Sequence, residues 1–305
     1  NKHFPKGHVV YREGDIGNHM YFINSGSIEV TTKDGTRAKR NQGDFFGEGA
    51  LLHPEKIRSA TIRCNTPLHA IEISREYFEK YVASSENSLL LTLREKDKIR
   101  KRNRVKTILR LQKNLKEKEY SKGDCLFQIG EDGDSLFILE SGKVDVLLQD
   151  KHVFTVAPGN ICGEYSLLTG RKRNALAMCV SDGGCIAHEI AGRDVRKLMD
   201  TSPFFNSSLR DLNQRRNFKK AVVVRLNKQF PYKNPQEAFD AADTNKSGRI
   251  DVAAVRHLMR EMDPNFTDKE IDDMVKSMDL NNSGSVTFDA FKKVFVGDLR
   301  TAASM

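Results

Sequence analysis

Phe46-Gly47-Glu48-Gly49-Ala50-Leu51, with Arg58-Ser59-Ala60-Thr61 placing its Arg ten residues after the Glu, has a second version further along the chain. That version is Cys162-Gly163-Glu164-Tyr165-Ser166-Leu167, with Arg173-Asn174-Ala175-Leu176 placing its Arg nine residues after the Glu. Around both copies the glycines keep step. Gly7, Gly14, Gly17, Gly26, Gly43 and Gly47 are each matched 116 residues on, by Gly123, Gly130, Gly133, Gly142, Gly159 and Gly163. With glycine at about 7% of residues, chance supplies about 0.3 such matches, so the chain carries an internal repeat. Between the glycines, apolar and polar residues alternate: Ser27-Ile28-Glu29-Val30 answers Lys143-Val144-Asp145-Val146. Alternation of period two, cut by glycine turns, predicts short antiparallel strands in a barrel or jelly roll. Helical sequence follows each barrel, from Arg75 in the first copy and from Asp194 in the second.

The two quoted stretches carry the chemistry. A glycine permits a tight turn out of a strand, and the short helical turn after it offers unpaired backbone N–H groups that favour an anion. An arginine returning on the next strand binds phosphate oxygens in its planar fork, and the glutamate accepts from sugar hydroxyls. The candidate ligand-binding residues are Gly47, Glu48, Gly49, Ala50, Leu51, Arg58, Ser59 and Ala60. Their counterparts in the second copy are Gly163, Glu164, Tyr165, Ser166, Leu167, Arg173, Asn174 and Ala175.

These motifs resemble the phosphate-binding cassettes of the cyclic-nucleotide-binding domain family. The tandem arrangement over 1–222 is similar to the regulatory subunit of cAMP-dependent kinase and the regulatory half of cGMP-dependent kinase. The resemblance implies cAMP or cGMP as ligand, with Glu48 and Glu164 on the ribose 2′-hydroxyl and Arg58 and Arg173 on the cyclic phosphate. It also implies backbone amides near Gly49–Ala50 and Tyr165–Ser166 closing the cradle. In cGMP-selective relatives a hydroxyl residue directly after the arginine meets the guanine amino group. Ser59 holds that place here, with Asn174 as its polar counterpart, which leaves the base open between adenine and guanine. The chain departs from the family at several points: the first cassette is one residue longer than usual, and Cys162, Ser166 and Leu176 replace an aromatic, an alanine and a small polar residue.

From Pro235 the pattern changes. Asp243-x-Asn245-x-Ser247-Gly248-Arg249-Ile250-Asp251 and Asp279-x-Asn281-x-Ser283-Gly284-Ser285-Val286-Thr287 follow the EF-hand calcium loop, with oxygens at positions 1, 3 and 5 and Gly at 6. The candidate metal ligands are Asp243, Asn245, Ser247, Arg249, Asp251, Asp279, Asn281, Ser283 and Ser285. Position 12, where a bidentate glutamate belongs, is Ala254 in one loop and Ala290 in the other. Losing that ligand twice leaves Ca²⁺ binding weak or vestigial. Ile250 and Val286 sit where paired loops form a short β-bridge, and Thr267-x-x-Glu270 is a capping box.

The 305 residues carry 50 Lys+Arg against 41 Asp+Glu, a formal charge of +9. Between Arg94 and Lys122, 13 Lys/Arg face 4 Asp/Glu, so this one segment holds the whole surplus. Ile99, Val105, Ile108, Leu109, Leu111 and Leu115 recur there at helical spacing, with no aromatic before Tyr120 for bases to stack on. The segment reads as a solvated connecting helix, and a nucleic-acid partner is not expected. No apolar run reaches the length of a membrane span, and no charged-then-apolar leader is visible from Asn1 onward. Because the chain does not begin with Met and lacks the helix that precedes such a barrel in the family, a fragment of a longer protein is expected, with an upstream segment missing. Five cysteines without a C-x-x-C pair argue against zinc and disulfides and for a cytoplasmic setting. His188-Glu189-x-x-Gly192 lacks the second histidine of a zinc-protease helix, and no P-loop, nucleophile elbow or kinase catalytic loop is present.

The expected fold is α+β and multidomain: two β-roll, jelly-roll-like nucleotide-binding domains with helical tails, then an all-α EF-hand pair. The expected segments are 1–93 for the first domain, 94–115 for the basic connecting helix, 116–222 for the second domain and 233–298 for the EF-hand pair. The expected function is that of a non-catalytic regulatory chain. It would bind cyclic nucleotide in two tandem pockets and relay occupancy through helices to a protein partner or a missing effector domain, with Ca²⁺ as a candidate modulator. The alternative is a structural or docking component of a larger assembly with vestigial nucleotide and calcium sites.

Overall fold

Val144 and Val146 are buried on either side of half-exposed Asp145, and the same in–out rhythm recurs wherever the sequence alternates. A strand with one apolar face needs a partner sheet to cover it, and each copy of the repeat supplies two. The computed structural model describes residues 1–53, 56–83, 88–112, 115–228, 235–279 and 283–296. The chain divides into two compact units, Asn1–Ile108 and Leu109–Met305.

In the first unit the strands are β1 (Lys2–Phe4), β2 (Val9–Tyr11), β3 (His19–Ser25), β4 (Ser27–Thr31), β5 (Arg37–Asn41) and β6 (Phe45–Phe46). A single-turn helix α1 (Gly49–Leu52) precedes β7 (Thr61–Cys64) and β8 (Leu68–Ser74). They form two antiparallel sheets, ordered β1-β8-β3-β6 and β2-β7-β4-β5. Tyr21, Ile23, Ile28, Phe46, Ile62, Cys64, Leu68 and Ala70 fill the space between. Helix α2 (Arg75–Phe78) runs into a π-turn, Glu79–Ala83, and α3 (Ser88–Arg110) follows. Phe78, Val82, Leu90 and Leu93 pack on Met20, Phe45, Leu51 and Leu52, so the tail helices lie on the cassette end of the barrel.

The second unit repeats this plan with β9 (Lys116–Tyr120), β10 (Cys125–Phe127), β11 (Ser135–Ser141), β12 (Val144–Leu148), β13 (Lys151–Val156) and β14 (Ile161–Cys162). Helix α4 (Glu164–Thr169) and strands β15 (Leu176–Cys179) and β16 (Cys185–Ala191) complete the barrel. Its sheets, β9-β16-β11-β14 and β10-β15-β12-β13, match the first barrel strand for strand. Helices α5 (Gly192–Thr201) and α6 (Pro203–Leu226) form its tail. His188 and Glu189 lie on β16, where Glu189 pairs with Lys118 across the sheet, an ordinary strand position.

The EF-hand part consists of α7 (Pro235–Ala242), β17 (Ile250–Asp251), α8 (Val252–Met262), α9 (Asp268–Met278), β18 (Ser285–Val286) and α10 (Phe288–Val296). Ile250 faces Val286 across the β17–β18 bridge, and the Thr267/Glu270 capping box closes on itself as expected. Among the described residues no helix is long and apolar enough to cross a membrane. All five cysteines are free, four of them buried.

Two expected boundaries fall inside helices: 93/94 cuts α3, and 222 lies within α6. The expectation of a solvated linker is also corrected. Val105 and Ile108 are buried, while Ile99 and Leu111 are exposed. Several basic residues of α3 turn toward the barrel, because the surface they cover is itself acidic.

Candidate functional site

Gly47 and Gly163 leave their strands at φ +83° and +92°, a region that side-chain-bearing residues rarely enter. That turn drops Glu48 and Glu164 beneath the surface, each about 5% exposed. Arg58 and Arg173 return beside them, equally buried. Arg58 donates from Nη1 to the carbonyls of His19 (2.7 Å) and Gly47 (3.0 Å), and its guanidinium lies 4.0 Å from the Tyr11 ring centre. Arg173 donates to Gly163 O (2.6 Å) and Ser135 O (2.8 Å) and lies 4.4 Å from the Phe127 ring centre. Residues 11, 19 and 47 thus have their structural counterparts 116 positions on.

Arg58 thus spends Nη1 on carbonyls and Arg173 spends both terminal nitrogens, while in each copy Nε is buried without a hydrogen-bond partner; Ser166 Oγ shares that state in the second. Gly17 and Gly133 lie against these arginines. A Cβ on Gly17 would come within 2.5 Å of Arg58 Nε, and one on Gly133 within 2.6 Å of Arg173 Nε. A buried cationic N–H left unpaired is costly, and a small anion beside it satisfies both charge and donor. The donor set therefore fits a phosphate monoanion.

Each glutamate is held by an arginine from the tail helix. Arg100 Nη1 meets Glu48 Oε1 at 2.5 Å while its Nη2 donates to Phe45 O at 3.0 Å. Arg216 Nη1 meets Glu164 Oε2 at 2.8 Å while its Nη2 donates to Ile161 O at 2.8 Å. Burial pushes the Glu48 carboxyl above its usual range, and Arg100 partly offsets this. These lid arginines are again 116 residues apart. No local motif marks them in the sequence, since each arginine lies 52 residues from the glutamate it meets.

Further along α3, Asp97 is buried beside Gly49, 3.0 Å from His53 Nε2 and 3.2 Å from Lys101 Nζ. Burial alone would raise its carboxyl; the hydrogen bond from His53 and the Lys101 charge overcome that and hold it down at about 2. Arg104 is tied to Asp34, to Glu13 (3.1 Å) and to the Ser59 carbonyl (2.7 Å). Ser59 itself is exposed, and Leu51 belongs to the core beneath the lid, whereas Ala50 and Ala60 are buried.

The second cassette opens on a small pocket lined by Phe154, Tyr165, Asn174, Arg216 and Lys220 besides Glu164 and Arg173. Lys220 Nζ donates to Asn174 Oδ1 at 2.5 Å and lies 5.4 Å from the Tyr165 ring centre. Burial pushes its ammonium down to about 8, against the pull of Glu164 and with Arg216 adding to the shift. Tyr165, Leu167 and Ala175 are buried.

Helix α6 serves two neighbours. Arg216 and Lys220, one turn apart, face the cassette. Phe218 and Val222, on the opposite side of the helix, are buried where α6 packs on α7, α8 and α9. Phe218 stands edge-on to Phe291 at 6.1 Å, within an aromatic group that includes Phe239. Arg171, just after the second cassette's helix, donates to Asn265 O at 2.8 Å and sits near Asp263, in the connection between the two EF-hands, and Glu270, in the first turn of α9.

The calcium loops close on themselves. Asp243 accepts from Ser247 N and Gly248 N, Asp279 from Ser283 N and Gly284 N, and Asp251 caps α8 through Ala254 N. Ser247 and Ser283 donate to the carbonyls of Arg249 and Ser285, the position-7 oxygens. Ala254 and Ala290 are buried in the helix core, so nothing reaches back from position 12. Asn281 lies outside the described residues. Among the described residues no group of three or more His, Cys, Asp or Glu side chains is arranged to hold a metal. The loops keep the EF-hand shape without the full calcium ligand set.

Comparison with known proteins agrees with this layout. The family description "Cyclic nucleotide-binding domain" matches residues 1–85 and again 117–202, and "EF-hand domain pair" matches 234–296. The cGMP-dependent protein kinase of Eimeria tenella is 28% identical over 201 residues, covering 62% of this chain and 20% of the kinase. The cGMP-dependent protein kinase 2 of Rattus norvegicus is 23% identical over 273 residues, covering 84% of this chain and 33% of the kinase. The chain thus spans a fifth to a third of the length of these relatives. The regulatory domain of Toxoplasma gondii PKA, solved with cAMP, is 23% identical; the match covers 65% of this chain and 80% of that one, with a TM-score of 0.29.

Proposed function

The chain belongs to the cyclic nucleotide-binding domain family, and from that premise we propose that it is a non-catalytic regulatory segment whose two cassettes each take one cyclic nucleoside monophosphate, cAMP or cGMP. Arg58 and Arg173 would hold the cyclic phosphate, and Glu48 and Glu164 the ribose 2′-hydroxyl. The backbone at Gly49–Ala50 and Tyr165–Ser166 would complete each cradle. What carries the reading is the buried, unpartnered Nε of Arg58 and of Arg173, repeated in two copies beside a buried glutamate.

The lid arginines give occupancy a mechanical consequence. Arg100 and Arg216 address the same carboxylates that a ribose hydroxyl would, so ligand binding and lid position are linked and each shifts the other. Helices α3 and α6 then relay the change to a protein partner or an attached domain outside these residues. The five free cysteines suit a cytoplasmic setting.

Calorimetric titration of the full chain with cAMP and with cGMP tests the proposal, using wild type, Arg58→Ala and Arg173→Ala. Two binding events are expected for the wild type, and each variant loses one. If neither nucleotide binds the wild type below about 1 mM, or about 4 kcal/mol, the regulatory reading fails. A docking role with vestigial sites is favoured by one observation, the burial of Ala254 and Ala290 where calcium ligands belong. Binding of Ca²⁺ by the full chain at micromolar concentration would remove that support.

A further inference from the structure

Resting on nucleotide binding by the second cassette, we infer that Lys220, oriented by Asn174, makes that pocket selective for a cyclic nucleotide with a 6-oxopurine base, guanine or hypoxanthine, over one with adenine.

The inference starts from how the cations in the cavity are used. Arg173 gives its terminal nitrogens to Gly163 O and Ser135 O. Arg216 gives its own to Glu164 and Ile161 O. Lys220 is different. It is 5% exposed, and its ammonium makes a single hydrogen bond, to Asn174 Oδ1. An ammonium has three donors and accepts nothing, so two N–H groups have no hydrogen-bond partner in the cavity. A ligand that brings acceptors to this nitrogen removes a desolvation cost; one that brings a donor adds to it. Guanine and hypoxanthine present O6 and N7, two acceptors, on one edge. Adenine presents N7 beside the N6 amino donor. Tyr165, 5.4 Å from the same nitrogen, supplies an aromatic face in the same cavity.

The first copy explains why this cation is free to read a base only in the second. The counterpart of Lys220 is Arg104, which is held by Asp34 and Glu13 instead. Asp34 stands in the five-residue connection 32–36 between β4 and β5. In the second copy only Gln149 and Asp150 separate β12 from β13, and the residue 116 after Glu13 is Ile129. With no counterpart of Glu13 and the connection shortened, Lys220 pairs with Asn174 instead. Asn174 also reaches Asn217 through its Nδ2 at 3.5 Å, which makes it a positioning residue for the lysine.

The test uses the full chain carrying Arg58→Ala, which confines binding to the second pocket, titrated with cGMP, cIMP and cAMP. We expect cGMP and cIMP to bind about tenfold tighter than cAMP, a difference of about 1.4 kcal/mol. Lys220→Met should abolish that ratio by weakening cGMP and cIMP while leaving cAMP within about twofold; Lys220→Arg, which keeps donors and charge, should retain a preference. Asn174→Ala should lower the ratio in the same direction by less. The assignment is overturned if cAMP binds as tightly as cGMP, or if Lys220→Met weakens all three nucleotides equally, since a lid residue without a base contact would do that. Preference for cGMP without cIMP also overturns it, because the discriminating group would then be the 2-amino group. Absence of any binding to this pocket, with the Arg58 site of the wild type still active, overturns the nucleotide reading of the second cassette and the base assignment with it.

Discussion

Arg216→Ala puts the lid of the second cassette to the sharpest test. Arg216 and Glu164 have side chains only 10% and 6% exposed, 2.8 Å apart. The arginine also satisfies the Ile161 carbonyl and lies 4.6 Å from the centre of the Phe154 ring. Removing it leaves a buried carboxylate without its partner, which costs about 3–5 kcal/mol against about 0–1 for a solvent-screened surface pair. A domain of this size holds about 5–15 kcal/mol in all, so the loss is a large share. Urea unfolding followed by far-UV circular dichroism reads it globally; the chain has no tryptophan to report by fluorescence. Hydrogen exchange of 161–170 and 210–222 reads it locally, where about 3 kcal/mol appears as roughly a hundredfold faster exchange. Glu164→Gln in the same chain as Arg216→Met removes both charges together and should recover stability to within about 1 kcal/mol of wild type. If Arg216→Ala alone costs less than about 1 kcal/mol, the pair is screened by water and α6 does not rest on the cassette in solution.

Phe218→Ala should cost about 3–5 kcal/mol, because the ring is 1% exposed between α6 and the EF-hand aromatics, and nucleotide affinity at the second pocket should fall with it. Thermal unfolding together with titration of the Arg58→Ala background checks both. Lys220→Met should stabilise the ligand-free protein at pH 7. The lysine's folded-state value lies near 8, below the unfolded 10.5, so its burial penalty of about 3 kcal/mol is full below pH 8 and relieved as pH rises to 10.5. The gap between variant and wild type should therefore close over that window in urea melts, with Glu164, Tyr165 and Arg216 the titratable groups nearest the lysine. Gly133→Ala should cut affinity at the second pocket more than about tenfold, 1.4 kcal/mol, since its Cβ would stand 2.5 Å from the Ser166 side chain; wild-type affinity in calorimetry would refute the geometry.

Much of this was legible in the sequence, because the features that announced it are local. A turn at φ +83° needs a glycine at 47, and a strand hairpin needs its alternation, whatever the rest of the chain does. The EF-hand loops were equally plain, with Ile250 opposite Val286 as their spacing required. The lid was harder. Arg100 reaches Glu48 across 52 residues, and no local pattern marks it. Reading charged residues as the solvent face of a helix failed for α3 because the barrel end it covers presents Glu48, which needs a counter-charge. Asn174 is expected from the sequence only as the polar counterpart of Ser59 beside the base. Its role depends on Lys220, 46 residues away on another element. The 116-residue step applied to every residue rather than to glycines would have paired Tyr11 with Phe127 and Arg100 with Arg216.

The two lids are held by different physics, and acid should separate them. On α3 the latch is polar: Asp97 with His53 and Lys101, then Arg100 with Glu48, then Arg104 with Asp34 and Glu13. The positions 116 later on α6 are Asn213, Asn217, Arg216 and Lys220, and Asn213 Oδ1 is buried without a partner. What α6 lacks in ionic contacts it gains from the apolar grip of the EF-hand helices on its opposite face. The stabilisation from Asp97 follows from its depressed folded-state value of about 2 against 3.8 unfolded. It is fully present above pH 4, amounts to about 2 kcal/mol, and is lost as pH falls toward 2. Asp97→Asn should therefore destabilise the first unit by about that much at pH 6 and by almost nothing at pH 2. Hydrogen exchange of 88–108 at both values reads the first lid, and 203–226 serves as the internal control. A gap between variant and wild type that does not shrink with acid would mean that Asp97 acts by packing rather than by charge, and the polar latch would have to be abandoned.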